Sequence, residues 1–578
     1  MTVDGTQLSP AAAAAAALRP EAELMRPERL YALAPSSLSF TRSLIRKMVG
    51  ERWRVSRVEF EVDGHGEGDA VYRVEGGGRV FDFVVFSFAP APPDSRTDRI
   101  IGQHWDVFAA LFEGEASREQ IEATRRELPK LYAGRAPAGT LVWCRSNRSL
   151  RIFESVVEAL SEGRQPDPAA LAEVCYIVRN TGLDANGTFG TRSFLSYEDD
   201  HPLRIPYHAQ MLAAYLMREF GADLAEGMAA QRGAGAARLR RDIRRFVGLG
   251  NSSGLGLVLF ANNHPLLIGR WLELREQCLA RAKARRARPG SPEVERLAEL
   301  LRRCIRFGAE DRVRYHTFSS GPAIAEELEL AAALVAEFAA GGTVAGVETE
   351  TPWAAIGEQL SDRVGAESLE RFHGLLIDLD PEGADRLQGE HITSEVLEYL
   401  PEMPVSELRE LVREQYGWAL EVDLEQDGAY RYFWYKSEEA EEPRRGIRGG
   451  EVSGFDLGLD VPGDLQGVIA DLERADGATP VGRFLLDHPV HRAAVVRVQG
   501  LRDASYHTVR ANIMDDDFVP ARVIRLFNAS MYGLDKTRDV EFSEGRWVRG
   551  VMFHGAPCWD ELADWSGGDW PFPAEPRP

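Results

Sequence analysis

The 578-residue chain has little cysteine: Cys144, Cys175, Cys278, Cys304 and Cys558 are scattered and never form a CxxC pair. An odd, dispersed set of thiols gives neither a disulfide framework nor a zinc-cage spacing, so a reducing cytoplasm is the expected compartment. Long apolar runs are also missing. The best candidates, residues 255–261 and 81–88, fall far short of a membrane-spanning helix, which needs roughly 20 residues. No membrane partner is therefore expected. The alanine run at 11–17 follows Asp4 with no basic residue before it, so it reads as part of a partly disordered N-terminal tail, 1–38, rather than as a signal peptide. Positive charge is short as well: 68 Lys and Arg face 90 Asp and Glu, a formal net charge of -22. Such a chain is not built to coat nucleic acid, which is an unlikely partner. Lysine occurs only at 47, 130, 283, 436 and 536, so arginine richness by itself carries no functional signal.

What remains is ample for a folded protein: 44% hydrophobic and 27% charged residues exclude disorder and fibrous repetition as overall classes. Period-2 apolar alternation over 58–62, 71–74 and 80–88, separated by glycine turns, predicts a three-stranded meander after a helix near 44–48. A helix around 408–412 is followed by expected strands at 420–424 and 430–435 about an Asp427-Gly428 turn. Near the end, 523–531 reads as a helix, with strands at 540–543 and 547–553. Between them lie helical patterns at 118–132, 149–160, 168–179, 207–230, 265–286, 292–307 and 322–340, several opened by proline. The expected fold class is α+β: helix-plus-antiparallel-hairpin units flanking a large, mostly helical middle region. The expected divisions are a first α/β unit at 39–113, the helical middle at 114–342, a second α/β unit at 343–480 and a C-terminal α/β portion at 481–578.

The charge is uneven. Residues 232–314 carry a local excess of about +11 within an acidic remainder, which an anionic ligand, nucleic acid or the chain's own acidic C-terminal half could neutralise. The basic group Arg281, Lys283, Arg285, Arg286 and Arg288 surrounds a helix end and reads as solvated. Inside the basic section, Gly248 to Gly256 is rich in glycine and small polar residues. As a loop it would offer backbone N–H groups to a carboxylate or phosphate through Asn251, Ser253 and Gly254. It lacks the Walker Gly-Lys-Ser/Thr and the dinucleotide GxGxxG spacing. Gly250 to Gly254 also fits GxSxG, which would make Ser252 a nucleophile, although no apolar strand precedes it. Helix capping and close packing explain the same residues.

A second polar, glycine-containing stretch runs from Arg179 to Arg192. Arg179, Asn180 and Arg192 are its candidate substrate-binding residues, with structural ion pairing as the alternative. Asn263 and His264 precede Pro265 and suit either a helix cap or a site, and His208 or His264 could handle a proton. Paired acids near His201 and His208 match no specific metal cage, and the sequence 378–389 lacks the final acid of a calcium loop. No metal site is assigned and the cofactor is left open. The expected function is a cytoplasmic enzyme acting on a small anionic metabolite, hydrolase- or lyase-like with histidine acid/base chemistry. Two alternatives stand beside it: a serine hydrolase built on Ser252, and a noncatalytic binding or homo-oligomeric assembly protein using the aromatic run Tyr430, Tyr432, Phe433, Trp434 and Tyr435.

Overall fold

The computed structural model describes residues 18–90, 105–132, 139–185, 197–254, 265–310, 319–390, 399–424, 430–436, 441–447, 461–506, 526, 533, 547–566, 572–573 and 576–577. The meander read from the alternation is present as β1 (Arg54–Val62), β2 (Gly68–Gly76) and β3 (Arg79–Ser87), and it does not stop there. Four further strands extend the same sheet: β4 (Val107–Glu113), β5 (Thr140–Arg148), β6 (Tyr176–Ala185) and β7 (Gly248–Gly254). Two small hairpins follow, β8 (Thr343–Val344) with β9 (Val347–Glu348) and β10 (Tyr430–Lys436) with β11 (Glu441–Ile447). The last strand, β12 (Trp547–Met552), returns to lie beside β7. The main sheet therefore has the order β1-β2-β3-β4-β5-β6-β7-β12, antiparallel except for the parallel pair β6–β7.

Its two faces follow from the period of 2. Ala70, Tyr72, Val74, Phe81, Phe83, Val85, Val107, Ala109 and Leu111 point into the main core. Their alternates Val71, Val84, Phe86, Phe108, Ala110, Phe112 and Trp143 form a second apolar layer with Leu128. Strands apolar on both sides need cover on both.

The helices supply it. Besides the single turns Glu21–Leu24 and Pro27–Leu30, those among the described residues are, in chain order, α1 (Phe40–Gly50), α2 (Arg118–Tyr132), α3 (Phe153–Ser161), α4 (Pro168–Val174), α5 (His208–Arg232), α6 (Arg241–Phe246), α7 (Pro265–Lys283), α8 (Pro292–Ala309), α9 (Gly321–Gly341), α10 (Pro352–Ser361), α11 (Ala366–Ile377), α12 (Pro381–Glu390), α13 (Val405–Leu420), α14 (Val461–Arg474), α15 (Val481–Asp487) and α16 (Arg492–Leu501). Helix α2 brings Leu128 to the second layer. Helix α5 is buried on every side from His208 to Ala225, with its charged Arg218, Glu219 and Asp223 paired inside the protein, and it packs against the curled sheet. Phe220 meets Phe60 of β1, and the Tyr72 hydroxyl of β2 donates to Asp223 at 2.8 Å. Helices α13 to α16 bury a core of their own from Val405, Leu408, Val412, Tyr416, Val468 and Val495.

Three expectations change. No strand occupies 420–424: α13 continues to Leu420 because Tyr416 and Ala419 are needed in that core, and Tyr430–Lys436 pairs with Glu441–Ile447 instead. The flanking-hairpin layout gives way to one sheet that takes strands from 54 to 552, since β12 finds its partner in β7; the helix expected at 523–531 and strand at 540–543 lie almost wholly outside the described residues. Finally, Leu24, Leu30, Leu33 and Leu38 are fully buried, so the end of the expected tail is core. Among the described residues, no helix is long and apolar enough to cross a membrane.

Candidate functional site

The two polar, glycine-containing stretches meet, but as strands. Arg179 and Asn180 of β6 stand opposite Gly250 and Asn251 of β7. On the other side of β7, Ser252, Ser253 and Gly254 stand opposite Arg549, Val548 and Trp547 of β12. A strand paired on both sides spends its backbone groups in ladders, unlike the open anion-binding loop or the strand-to-helix elbow that Gly250 to Gly254 suggests in sequence. Its glycines have a packing role. A Cβ on Gly248 would lie 2.4 Å from Val551 Cγ1, and one on Gly250 2.7 Å from the Tyr176 ring. Arg179 and Asn180 are buried, and Asn180 Nδ2 donates to Ser146 Oγ at 3.3 Å. Arg192, Asn263 and His264 lie outside the described residues.

His208 opens α5 behind Tyr207, which takes φ 64°, and its side chain is fully buried against α1. Its Nε2 is 3.0 Å from Ser43 Oγ. Burial, then the charges of Lys47 and Arg46, lowers its pKa to about 3, so the ring is neutral near pH 7.

Part of the basic excess is neutralised within the chain. Arg241 and Arg245 pair with Asp560 and Glu561 near the C-terminus, and Arg244 pairs with Glu219 and Asp223 of α5. Arg218, buried on α5, donates to the carbonyls of Arg244, Arg245, Val247, Ala556 and Pro557 and to Glu219. These bonds tie α6 and the C-terminal segment to the central helix.

A different constellation has the chemistry of a site. It gathers Arg19, Arg275, Glu276 and Lys283 of α7, Gly357 of α10, and Glu370 and His373 of α11. Arg19 spans both carboxylates, reaching Glu276 Oε1 and Oε2 at 2.6 Å and Glu370 Oε1 at 2.5 Å. Arg275 reaches Glu276 Oε1 at 3.1 Å and Glu370 Oε2 at 2.8 Å, and it is wholly buried. The Tyr506 hydroxyl donates to the Arg19 carbonyl at 2.5 Å. Helix α11 is buried along its whole length, which forces its polar residues to find partners inside the protein. Burial opposes the Glu370 charge, but the guanidiniums of Arg19 and Arg275 override it and hold the carboxyl well below its ordinary pKa.

His373 is different. Its ring is 2% exposed, yet its Nε2 has no hydrogen-bond partner among the described residues. Its Nδ1 stands 3.5 Å from Glu370 Oε1, a long polar contact that orients the ring. Burial, only partly offset by Glu370, brings its pKa down to about 4. Lys283 is half-buried and has no ion pair among the described residues; burial and then Arg19 lower its pKa. Between the two lies Gly357. An atom placed at its absent Cβ would be 3.9 Å from Lys283 Nζ, 4.0 Å from His373 Nε2 and 3.6 Å from Lys283 Cε. Arg19 and Arg275 thus meet two carboxylates, and next to them Lys283 and a neutral imidazole flank room for a methyl-sized group beside Gly357. Sequence reasoning missed this group, taking Lys283 for a solvated helix end. The i, i+3 pair Glu370 and His373 was the available signal.

The chain matches no protein-family model, no curated protein and no solved structure.

Proposed function

We propose that the protein binds a small carboxylate- or phosphate-bearing molecule between Lys283 and His373 and acts on it by proton transfer at His373 Nε2. The observation that carries this reading is the buried His373 ring, its Nε2 without a hydrogen bond among the described residues, facing a half-buried lysine across the space left by Gly357. A buried polar group without a partner costs roughly 1–3 kcal/mol, a cost that a ligand can remove. An anionic oxygen in that space meets the Lys283 ammonium and the net positive charge of the cluster. Glu370 fixes the ring from its Nδ1 side and leaves Nε2 toward the gap. A ring with its pKa near 4 is neutral at pH 7 and is therefore a proton acceptor from a bound substrate, or a hydrogen-bond donor to it in the other tautomer. The reaction class this supports is acid–base chemistry on an anionic metabolite.

The test is thermal denaturation of the full chain against rising phosphate, and separately against a panel of small mono- and dicarboxylates, at constant ionic strength. The expected result is a saturable rise in melting temperature with at least one of these anions, lost in Lys283→Met and His373→Gln. An equal response in both variants and the parent protein overturns the assignment.

A further inference from the structure

We propose that Asp471, His488 and His491 form a binding site for one zinc ion at the corner of the α13–α16 bundle, far in sequence from the lysine–histidine site and independent of it. The site starts from three backbone features. Asp471 lies in the last turn of α14; His488 follows the end of α15 with φ -130° and ψ 62°; and Pro489 to His491 form a single 3-10 turn before α16. That turn folds His488 and His491 toward the same helix.

The three ligand atoms all lie within 4.8 Å of one another. Asp471 Oδ2 is 2.7 Å from His491 Nε2 and 3.2 Å from His488 Nδ1, so both imidazoles converge on one carboxylate oxygen. Tetrahedral zinc with bonds of about 2.0–2.2 Å sets its ligands roughly 3.3 Å apart, close to the 2.7 and 3.2 Å that separate Asp471 Oδ2 from the two imidazole nitrogens.

The surroundings hold the ligands ready. Phe484 stacks on His488 with centroids 4.7 Å apart and lies nearly parallel to His491 at 8°, so one aromatic wall sets both ring planes. Arg474 takes the other oxygen of Asp471, leaving Oδ2 as the single donor. His488 is 37% exposed, so the site opens to solvent. Two imidazoles and one carboxylate suit a transition ion, zinc or iron(II), over calcium and magnesium, which require oxygen-rich sets; zinc, which is satisfied by four ligands, fits the three donors and one open position here. Three protein ligands leave the fourth position for water or an incoming donor, the arrangement found at reactive rather than closed structural zinc sites. The sequence carries only the His488-Pro-Val-His491 spacing; Asp471 joins it through the packing of α14 against the turn.

The experiment is isothermal titration of tag-free, chelator-treated full chain with zinc chloride at pH 7.5, repeated with cobalt(II) and followed by visible absorption. One equivalent is expected to bind at micromolar or tighter affinity, with cobalt giving the d–d bands of a four-coordinate site. Asp471→Asn and His488→Gln should each weaken binding at least 10-fold, and His65→Gln should not. His488 is exposed enough that its substitution should leave the far-ultraviolet circular dichroism unchanged, which keeps the test separate from folding. Absence of a one-equivalent site, unchanged affinity in the two variants, or equal displacement by calcium or magnesium overturns the proposal.

Discussion

Gly357→Ala separates folding from binding at the lysine–histidine site. The new methyl group has room: its nearest neighbours outside its own helix would be Lys283 Cε at 3.6 Å, Lys283 Nζ at 3.9 Å and His373 Nε2 at 4.0 Å, all ordinary van der Waals separations. Gly357 sits inside α10 with helical geometry, where alanine is favoured over glycine by about 1 kcal/mol. The variant should therefore fold with unchanged or raised stability. Its methyl group nevertheless fills space beside Lys283 Nζ and His373 Nε2 that a ligand bonded to them would have to enter, and it presents hydrocarbon to an ammonium and an imidazole. Losing one charge-assisted hydrogen bond of about 1.5–3 kcal/mol corresponds to an affinity loss of roughly 10- to 150-fold. Parallel melting curves with and without the protecting anion, followed by calorimetric titration, measure both terms. A variant that is markedly destabilised refutes the packing around Gly357. One that is stable and still fully protected by the anion refutes the site.

Three further outcomes follow. Arg218→Met should lower stability by about 3–5 kcal/mol in urea titrations, because it leaves Glu219 and five carbonyls without their common donor; a loss below about 1 kcal/mol contradicts that role. Glu370→Gln should cost a similar amount, since Arg19 and Arg275 then share one carboxylate, and nuclear magnetic resonance should find the His373 pKa lower still, having lost the charge that raises it; an unchanged or raised value contradicts the pairing. His208 gives a pH dependence. Its folded pKa of about 3 lies below the ordinary 6.5, so its stabilising contribution is complete above pH 6.5 and is lost as pH falls toward 3. His208→Gln should flatten the stability profile in that window by a few kcal/mol, and an unaltered slope measured by urea unfolding at pH 7, 5 and 4 would count against burial of the neutral ring.

Much of the fold was legible where local periodicity and tertiary demand agree. The mostly apolar run 80–88 foretold β3, and the proline-opened patterns gave α8 and α9 nearly to the residue. Legibility failed where pairing overrides composition. Gly-Leu-Gly-Asn-Ser-Ser-Gly has poor strand propensity, yet β6 and β12 accept it from both sides, and its glycines let Tyr176 and Val551 approach. The strand expected at 420–424 is absent because the helix before it runs on to Leu420, carrying Tyr416 and Ala419 into the helical core.

The sites divide in the same way. Sequence alone determined the composition of the protein: an acidic chain with a basic middle, five dispersed thiols, no membrane-length apolar run, and enough amphipathic segments for a mixed fold. It also placed Glu370 three residues from His373, and His488 three from His491. Only the tertiary structure decided which of these histidines keeps a nitrogen without a partner among the described residues, that Lys283 is half-buried without an ion pair among them, and that Asp471 stands between two imidazoles. The physical reason is that charge and hydrogen-bonding capacity belong to residues, whereas burial and distance, which convert them into chemistry, arise only when remote segments pack together.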